Sequence, residues 1–441
     1  MLEDRPWLVS RDYPITCERE NNWTCMTYRL EKIEVQNSKR SLEIDGDEEH
    51  GVRKLSKQPA AHERVELNLT LRPVSMSSAD QSGNQRQAGD SSDSDSLIHP
   101  IGREISISCL LQCSRSDYGL IASLNRSFRS LIRSGKLYRL RRQKGVIEHW
   151  VYFSCRLLEW EAFDPNRRRW MRLPTMPSND CFMCSDKESL AVGTELLVFG
   201  KEMMSHVIYR YSILTNTWSS GMRMNAPRCL FGSASLGERA ILAGGCDSEG
   251  KILNSAELYN SETGTWETLP SMRKPRKLCS GVFMDGKFYV IGGIGGTDSK
   301  VLMCGEEYNL ETKTWTEIPD MSPGRENEML ATAEAPPLVA VVQNELYAAD
   351  YAGMEVRKFD KERRGWVTIG RLPERAGSMN GWGLAFRACG DQLIVIGGPR
   401  ASGEGFIEVN SWVPSEGPPQ WNLLARKQSG NFVYNCAVMG C

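Results

Sequence analysis

Long apolar runs are missing from this sequence. No segment of the 441-residue chain approaches the ~20 consecutive apolar residues that a membrane-spanning helix requires. Met1 to Ser10 is broken by Glu3, Asp4, Arg5 and Pro6, where a secretory signal would carry an uninterrupted apolar core. The expectation is a soluble intracellular protein, cytoplasmic or nuclear, with no membrane partner. An excess of one charge is also lacking: 54 Lys plus Arg stand against 55 Asp plus Glu, so there is no electrostatic footprint for nucleic acid. Histidine is scarce, with five residues, and a single CxxC, Cys181-Phe-Met-Cys184, has no second pair to complete four zinc ligands. Cys181 and Cys184 are therefore read as two buried thiols, and neither a metal nor a cofactor is expected.

Catalytic motifs are equally sparse. There is no G-x-S-x-G nucleophile turn, and Gly292-Gly-Ile-Gly-Gly296 lacks the Lys-Ser/Thr of a phosphate loop. The chain is read as a non-enzyme. Its fourteen cysteines lie mostly in apolar runs, as around Cys279 and Cys436, where a reduced thiol packs as a small hydrophobe.

Residues 1–96 differ from the remainder. Ser75 to Ser96 is almost entirely small and polar, too poor in apolar surface to offset the entropy of ordering, so 1–96 is read as a disordered arm. From 97 to 145 the pattern turns helical. Leu124, Phe128, Leu131 and Ile132 fall at i, i+4, i+7 and i+8, and Ile101, Ile105, Cys109 and Leu110 form a second stripe. So small a helical unit needs a neighbour to be stable.

The region 146–441 repeats itself. Trp recurs at 170, 218, 266, 315, 366 and 421, and Phe163, Tyr211, Tyr259, Tyr308 and Phe359 precede the first five by seven residues. Turn chemistry lies between aromatic and Trp, as in Asp164-Pro-Asn166 and Asn309-Leu-Glu-Thr312. Small-residue doublets end a β-rich run at Gly244-Gly245, Gly292-Gly293 and Gly397-Gly398, weakened to Ala348-Ala349 and to Gly200. Short strands on a period of about 40–50 residues describe radial four-stranded blades. These residues resemble the kelch repeat, and the resemblance implies a mostly β, six-bladed propeller with Tyr and Trp packed between sheets. The final apolar run, Phe432 to Met439, supplies a strand that the first unit lacks and is expected to close the first blade.

In front of such a propeller, Ile101-Gly-Arg-Glu-Ile105 through Leu124-Asn-Arg-Ser-Phe128-Arg-Ser-Leu131 resembles an F-box, and Leu137-Tyr-Arg-Leu-Arg-Arg142 is similar to the plant F-box/kelch group. Ile101-Gly102 stands where F-boxes usually open with Leu-Pro, and Pro100 is displaced. The resemblance implies a Skp-type adaptor as partner and, through it, a cullin: the chain would be the target-recognition subunit of a ubiquitin ligase. Ile101, Ile105, Leu110, Leu111, Leu124, Phe128 and Leu131 are the adaptor-binding candidates, the alternative for each being packing within the chain. A scaffold without a ligase role and, third, a propeller enzyme are the competing functions.

An Arg follows the Trp by ten residues at Arg228, Arg276 and Arg325 and by nine at Arg375, in the loops between blades. Convergent guanidiniums suit a carboxylate-rich or phosphorylated target protein. The alternative is that each pairs locally with an acidic residue or a backbone carbonyl.

Overall fold

The structure is a computed structural model; it describes residues 97–98 and 101–441, apart from 157, 180, 204, 297–299, 324–333, 375–379, 399–404 and 431. The proposed disordered arm, 1–96, lies outside the described residues. Six four-stranded antiparallel sheets form the blades. Blade 3 shows the pattern, with strands Gly232–Leu236, Arg239–Ala243, Ala256–Asn260 and Thr265–Leu269 running outward from the axis. The innermost strands of successive blades touch in a closed cycle.

The spaced aromatics are cross-strand partners. Phe163 faces Trp170, Tyr211 Trp218, Tyr259 Trp266, Tyr308 Trp315 and Phe359 Trp366, with ring centroids 4.7 to 5.4 Å apart. Seven residues is the separation that a tight outer hairpin permits between facing positions. An Asp or Asn opens four of these hairpins and Ser212 the fifth, and each accepts backbone N–H, as Asn309 Oδ1 does from Glu311 and Thr312. The residue two before Trp is left-handed in five blades: Arg168, Asn216, Gly264, Lys313 and Arg364. Only blade 3 spends a glycine there, so the turn tolerates the strain elsewhere.

The segment that follows Trp170, Trp218 and Trp266 receives the indole of the next blade. Trp218 Nε1 donates to the Pro174 carbonyl at 2.7 Å, Trp315 to Pro270 at 2.7 Å, and Trp266 to Met222 at 2.9 Å. Each indole thereby staples its blade to the one before it.

The doublets divide into two kinds. Gly244-Gly245 and Gly292-Gly293 are left-handed, and a Cβ on Gly245 would stand 2.4 Å from the Cys229 carbonyl oxygen. At the Ala348-Ala349 and Gly397-Gly398 positions no such left-handed φ occurs.

In blade 6 the aromatic of the third strand is Trp412, which pairs with Leu393 as Tyr308 pairs with Phe288. It precedes Trp421 by nine residues because a longer hairpin with a 3-10 turn at Pro414–Glu416 intervenes, and the two rings still meet at 5.9 Å.

Blade 1 closes as the sequence predicts. Asn435–Gly440 pairs along His149–Arg156, from Ser154 facing Asn435 to His149 facing Gly440.

Four helices precede the propeller: α1 (Gly102–Gln112), α2 (Tyr118–Leu124), α3 (Arg126–Arg133) and α4 (Lys136–Gln143). The expected single stripe from Leu124 to Ile132 is interrupted. Asn125 adopts an extended backbone that ends α2, and its side chain accepts the Phe128 N–H at 2.9 Å to cap α3. Leu124 and Phe128 therefore belong to different helices. Buried Ile107, Leu110, Leu111, Tyr118, Phe128, Leu131, Leu137 and Tyr138 are continuous with Trp150, Tyr152 and Trp160 of blade 1, so helices and propeller share one core.

Candidate functional site

The helical unit sorts its apolar residues into two sets. Leu110, Leu111, Phe128 and Leu131 are buried in the shared core. These four adaptor candidates are corrected: they pack within the chain and present nothing to a partner. Ile101, Ile105 and Leu124 are exposed, at 36, 57 and 67 %. Sequence reading missed Leu120, the most exposed of the group at 72 %. Its signal was its place four residues before Leu124 on α2, which puts both on one helix face. The unit thus offers two apolar pairs to solvent, Ile101 at the N-cap of α1 with Ile105 in its first turn, and Leu120 with Leu124 on α2.

Buried cations hold this unit in place. Arg115 donates to Tyr152 Oη at 2.6 Å and to Cys441 Sγ at 2.8 Å, and its guanidinium lies 4.4 Å from the Trp150 ring centroid. Burial pushes the Tyr152 phenol up to about 12, with Arg115 opposing, so it stays protonated at neutral pH. Arg141 donates to the carbonyls of Leu111 (3.0 Å) and Cys113 (2.6 Å) and pairs with Glu148 at 3.2 Å. On α4, Arg142 pairs with Glu238 and Arg139 with Glu262 at 3.2 Å. Glu238 and Glu262 belong to the two hairpin turns of blade 3, so α4 covers the turn-bearing end of that blade. The loops that join one blade to the next emerge at the opposite end, because the strands alternate in direction.

Those loops do not carry a ring of available arginines. Arg228 and Arg276 are buried at 1 and 0 % exposure. Arg228 Nη2 pairs with Glu257 at 2.7 Å and Nη1 donates to the Ser255 and Gly244 carbonyls. Arg276 repeats this with Glu306 at 2.8 Å and the Gly292 and Cys304 carbonyls. Each glutamate also accepts two backbone N–H groups, from Asn225 and Ala226 or from Arg273 and Lys274. The placement of Arg228 and Arg276 on a target-binding face is corrected: they bracket the inter-blade loop to the glycine doublet. The sequence signal was a Glu two residues before Tyr259 and Tyr308. Arg325 and Arg375 lie outside the described residues.

An apolar cluster lies at the loop-bearing end, formed by Leu230, Leu278, Ala335 and Trp382 with Cys229, Cys246 and Ile294, and Phe432 packs against it. Leu230 and Leu278 occupy equivalent left-handed positions in adjacent blades, and the Leu278 N–H donates to the Leu230 carbonyl at 2.7 Å. Beside this cluster Lys187 donates to the Leu384 carbonyl and lies 5.8 Å from the Trp382 ring centroid. Burial, reinforced by Arg387, pulls its amine down to about 7 against the opposing effect of Asp186. Burial also draws His206 down to about 4. Of the CxxC pair, Cys184 is buried, but Cys181 is exposed and the expectation of two buried thiols is corrected for it; among the described residues no group of three or more His, Cys, Asp or Glu is placed to hold a metal.

Six blades built on paired aromatics, four of them tied to the preceding blade by an indole bond from Trp218, Trp266, Trp315 or Trp421, with a small helical unit locked to blade 1, define a kelch-type propeller joined to an F-box-like unit. The Kelch motif family matches residues 227–273 and 275–322. The chain is 72 % identical over 367 residues to the F-box/kelch-repeat protein SKIP11 of Arabidopsis thaliana, covering 82 % of this chain and 79 % of that one. It is 59 % identical to the F-box/kelch-repeat protein At1g74510 of the same plant, across the full length of both. The F-box/kelch-repeat protein At1g26930, also from that plant, is 68 % identical over 80 % of this chain and 85 % of its own. The chain belongs to the F-box/kelch-repeat proteins.

Proposed function

We propose that this protein is the non-catalytic target-recognition subunit of a Skp–cullin–F-box ubiquitin ligase, acting in the cytoplasm or nucleus. The observation that carries the reading is the pair of exposed apolar couples on a helical unit whose remaining apolar residues are consumed by its own core. Leu120 and Leu124 sit one turn apart, the arrangement by which a helix enters a partner's groove. The helical unit lies at the turn-bearing end of blade 3, and the inter-blade loops at the far end are left for a target protein. Ubiquitin transfer belongs to other subunits; this chain raises the effective concentration of the target near them.

The test is co-purification of the full-length protein with a Skp-type adaptor. Leu120→Asp with Leu124→Asp should abolish it while leaving the thermal transition in place. Adaptor binding that survives the double substitution, or an intact protein that binds no such adaptor, overturns the reading and leaves a propeller scaffold.

A further inference from the structure

Cys229 and Cys246 face each other across an isolated antiparallel bridge at the loop-bearing end of blade 3, their Sγ atoms 3.5 Å apart. Two backbone hydrogen bonds hold the pairing, Cys229 N to Cys246 O at 3.0 Å and Cys246 N to Cys229 O at 2.7 Å. Residues that exchange both such bonds stand about 5.5 Å apart at Cα, within the ~4.4–6.8 Å that disulfides span. Closing the gap to a bond of ~2.05 Å takes a sulfur movement of about 1.5 Å.

The repeat does not require this pair. Blade 4 builds the same bridge from Lys277 and Ile294, which follow Arg276 and Gly292-Gly293 as Cys229 and Cys246 follow Arg228 and Gly244-Gly245. The bridge forms without sulfur, so the cysteines are a property of blade 3. The missing Cβ of Gly245 lets the two backbones approach. By contrast Cys279, just before the first strand of blade 4 (Ser280–Met284), donates to the Ala243 carbonyl, and burial pushes its thiol up to about 11.

We propose that Cys229 and Cys246 are a modification site that forms a reversible disulfide when the protein meets a peroxide. One thiolate attacks the O–O bond of hydrogen peroxide, giving a sulfenic acid and, after protonation, water. The second sulfur attacks the sulfenic sulfur; the S–S bond forms, the S–O bond breaks, and a second water leaves. Two thiols lose two electrons and two protons, and the peroxide is reduced to two waters. A small-molecule dithiol reverses the step by thiol–disulfide exchange. Cys229 and Cys246 are 1 and 6 % exposed, so oxidation proceeds through opening of the turn whose Ser248 and Glu249 are exposed. The bond would tie the loop entering blade 3 to the loop leaving its second strand, stiffening the end of the propeller that bears the apolar cluster. The inference stands apart from any ligase role.

The test is peptide mapping of the full-length folded protein after hydrogen peroxide, followed by denaturation and alkylation. A cross-linked peptide pair joining Cys229 to Cys246 should appear, exceed any other Cys–Cys pair at least about tenfold, and vanish with dithiothreitol. Recovery of both residues as alkylated thiols, at a dose that oxidises exposed Cys109 and Cys181, overturns the proposal. Cys229→Ser should remove the cross-link and leave Cys246 reactive toward a sulfenic-acid probe. Should that variant not fold, mapping of the wild-type protein decides alone.

Discussion

Arg276 Nη2 lies 2.8 Å from Glu306 Oε1, and neither side chain has any solvent exposure. The pair spans one blade from its entering loop to its third strand, and Arg228 with Glu257 does the same in the blade before. Two buried charges so placed are costly to separate, because removal of one leaves the other without water or a counter-ion.

Glu306→Ala should therefore destabilise the propeller by about 3–5 kcal/mol, read as a lower urea midpoint. It strands the Arg276 guanidinium and the Arg273 and Lys274 N–H groups together. Lys313→Ala, which breaks a solvent-exposed pair with Glu267 at 3.6 Å, should change stability by no more than about 1 kcal/mol. Equal effects would show that the buried bracket is not structural.

Arg115→Ala should loosen the helices from blade 1. The side chain provides two hydrogen bonds and a stacking contact at the junction, and its loss should cost on the order of 3 kcal/mol. Hydrogen exchange should accelerate across α1 to α4 more than in blades 3 to 5. Uniform acceleration would mean that the junction is not a separable contact.

Leu124→Asp and Phe128→Asp, four residues apart, should behave in opposite ways. The first places a charge on an exposed helix face and should leave the melting temperature within a degree or two of wild type. The second puts a carboxylate into the shared core and should cost about 3–5 kcal/mol from lost packing alone. Far-ultraviolet circular dichroism on heating separates them.

Lys187 should make stability depend on pH. Its amine titrates near 7 in the folded protein and near its ordinary 10.5 when unfolded. Between these values the unfolded chain holds more protons, so stability contributed by this group rises with pH from about 7 to 10.5 and is at its lowest below 7. Lys187→Met should be stabilising at pH 6, with the advantage shrinking toward pH 10. A difference that stays constant across that range would show that the amine is not the titrating group.

Much of the propeller was legible because its markers are tied by covalent distance. A seven-residue gap between aromatic and Trp follows from facing positions on one tight hairpin, so the sequence carries it in every blade where the turn keeps its length. Trp412 escaped because blade 6 lengthens that turn. The helical unit was less legible. Leu124 and Phe128 share a helical period, yet one asparagine between them changes the axis, and periodicity does not register a cap. Arg228 and Arg276 were seen as loop residues, but their fate was decided by Glu257 and Glu306, about thirty residues away in sequence. The separation of buried from presented side chains is a property of the folded neighbourhood, which spacing within a single segment does not encode.

The closing strand of blade 1 has a consequence for biosynthesis. His149–Arg156 is made before the other five blades, and its partner, Asn435–Gly440, is made after them. During translation the ring therefore stays open, with one edge of its first sheet unsatisfied and available for wrong pairing. Until Asn435–Gly440 has been made that edge lacks its partner, and the helices packed against blade 1 are the part of the chain already synthesised that lies beside it.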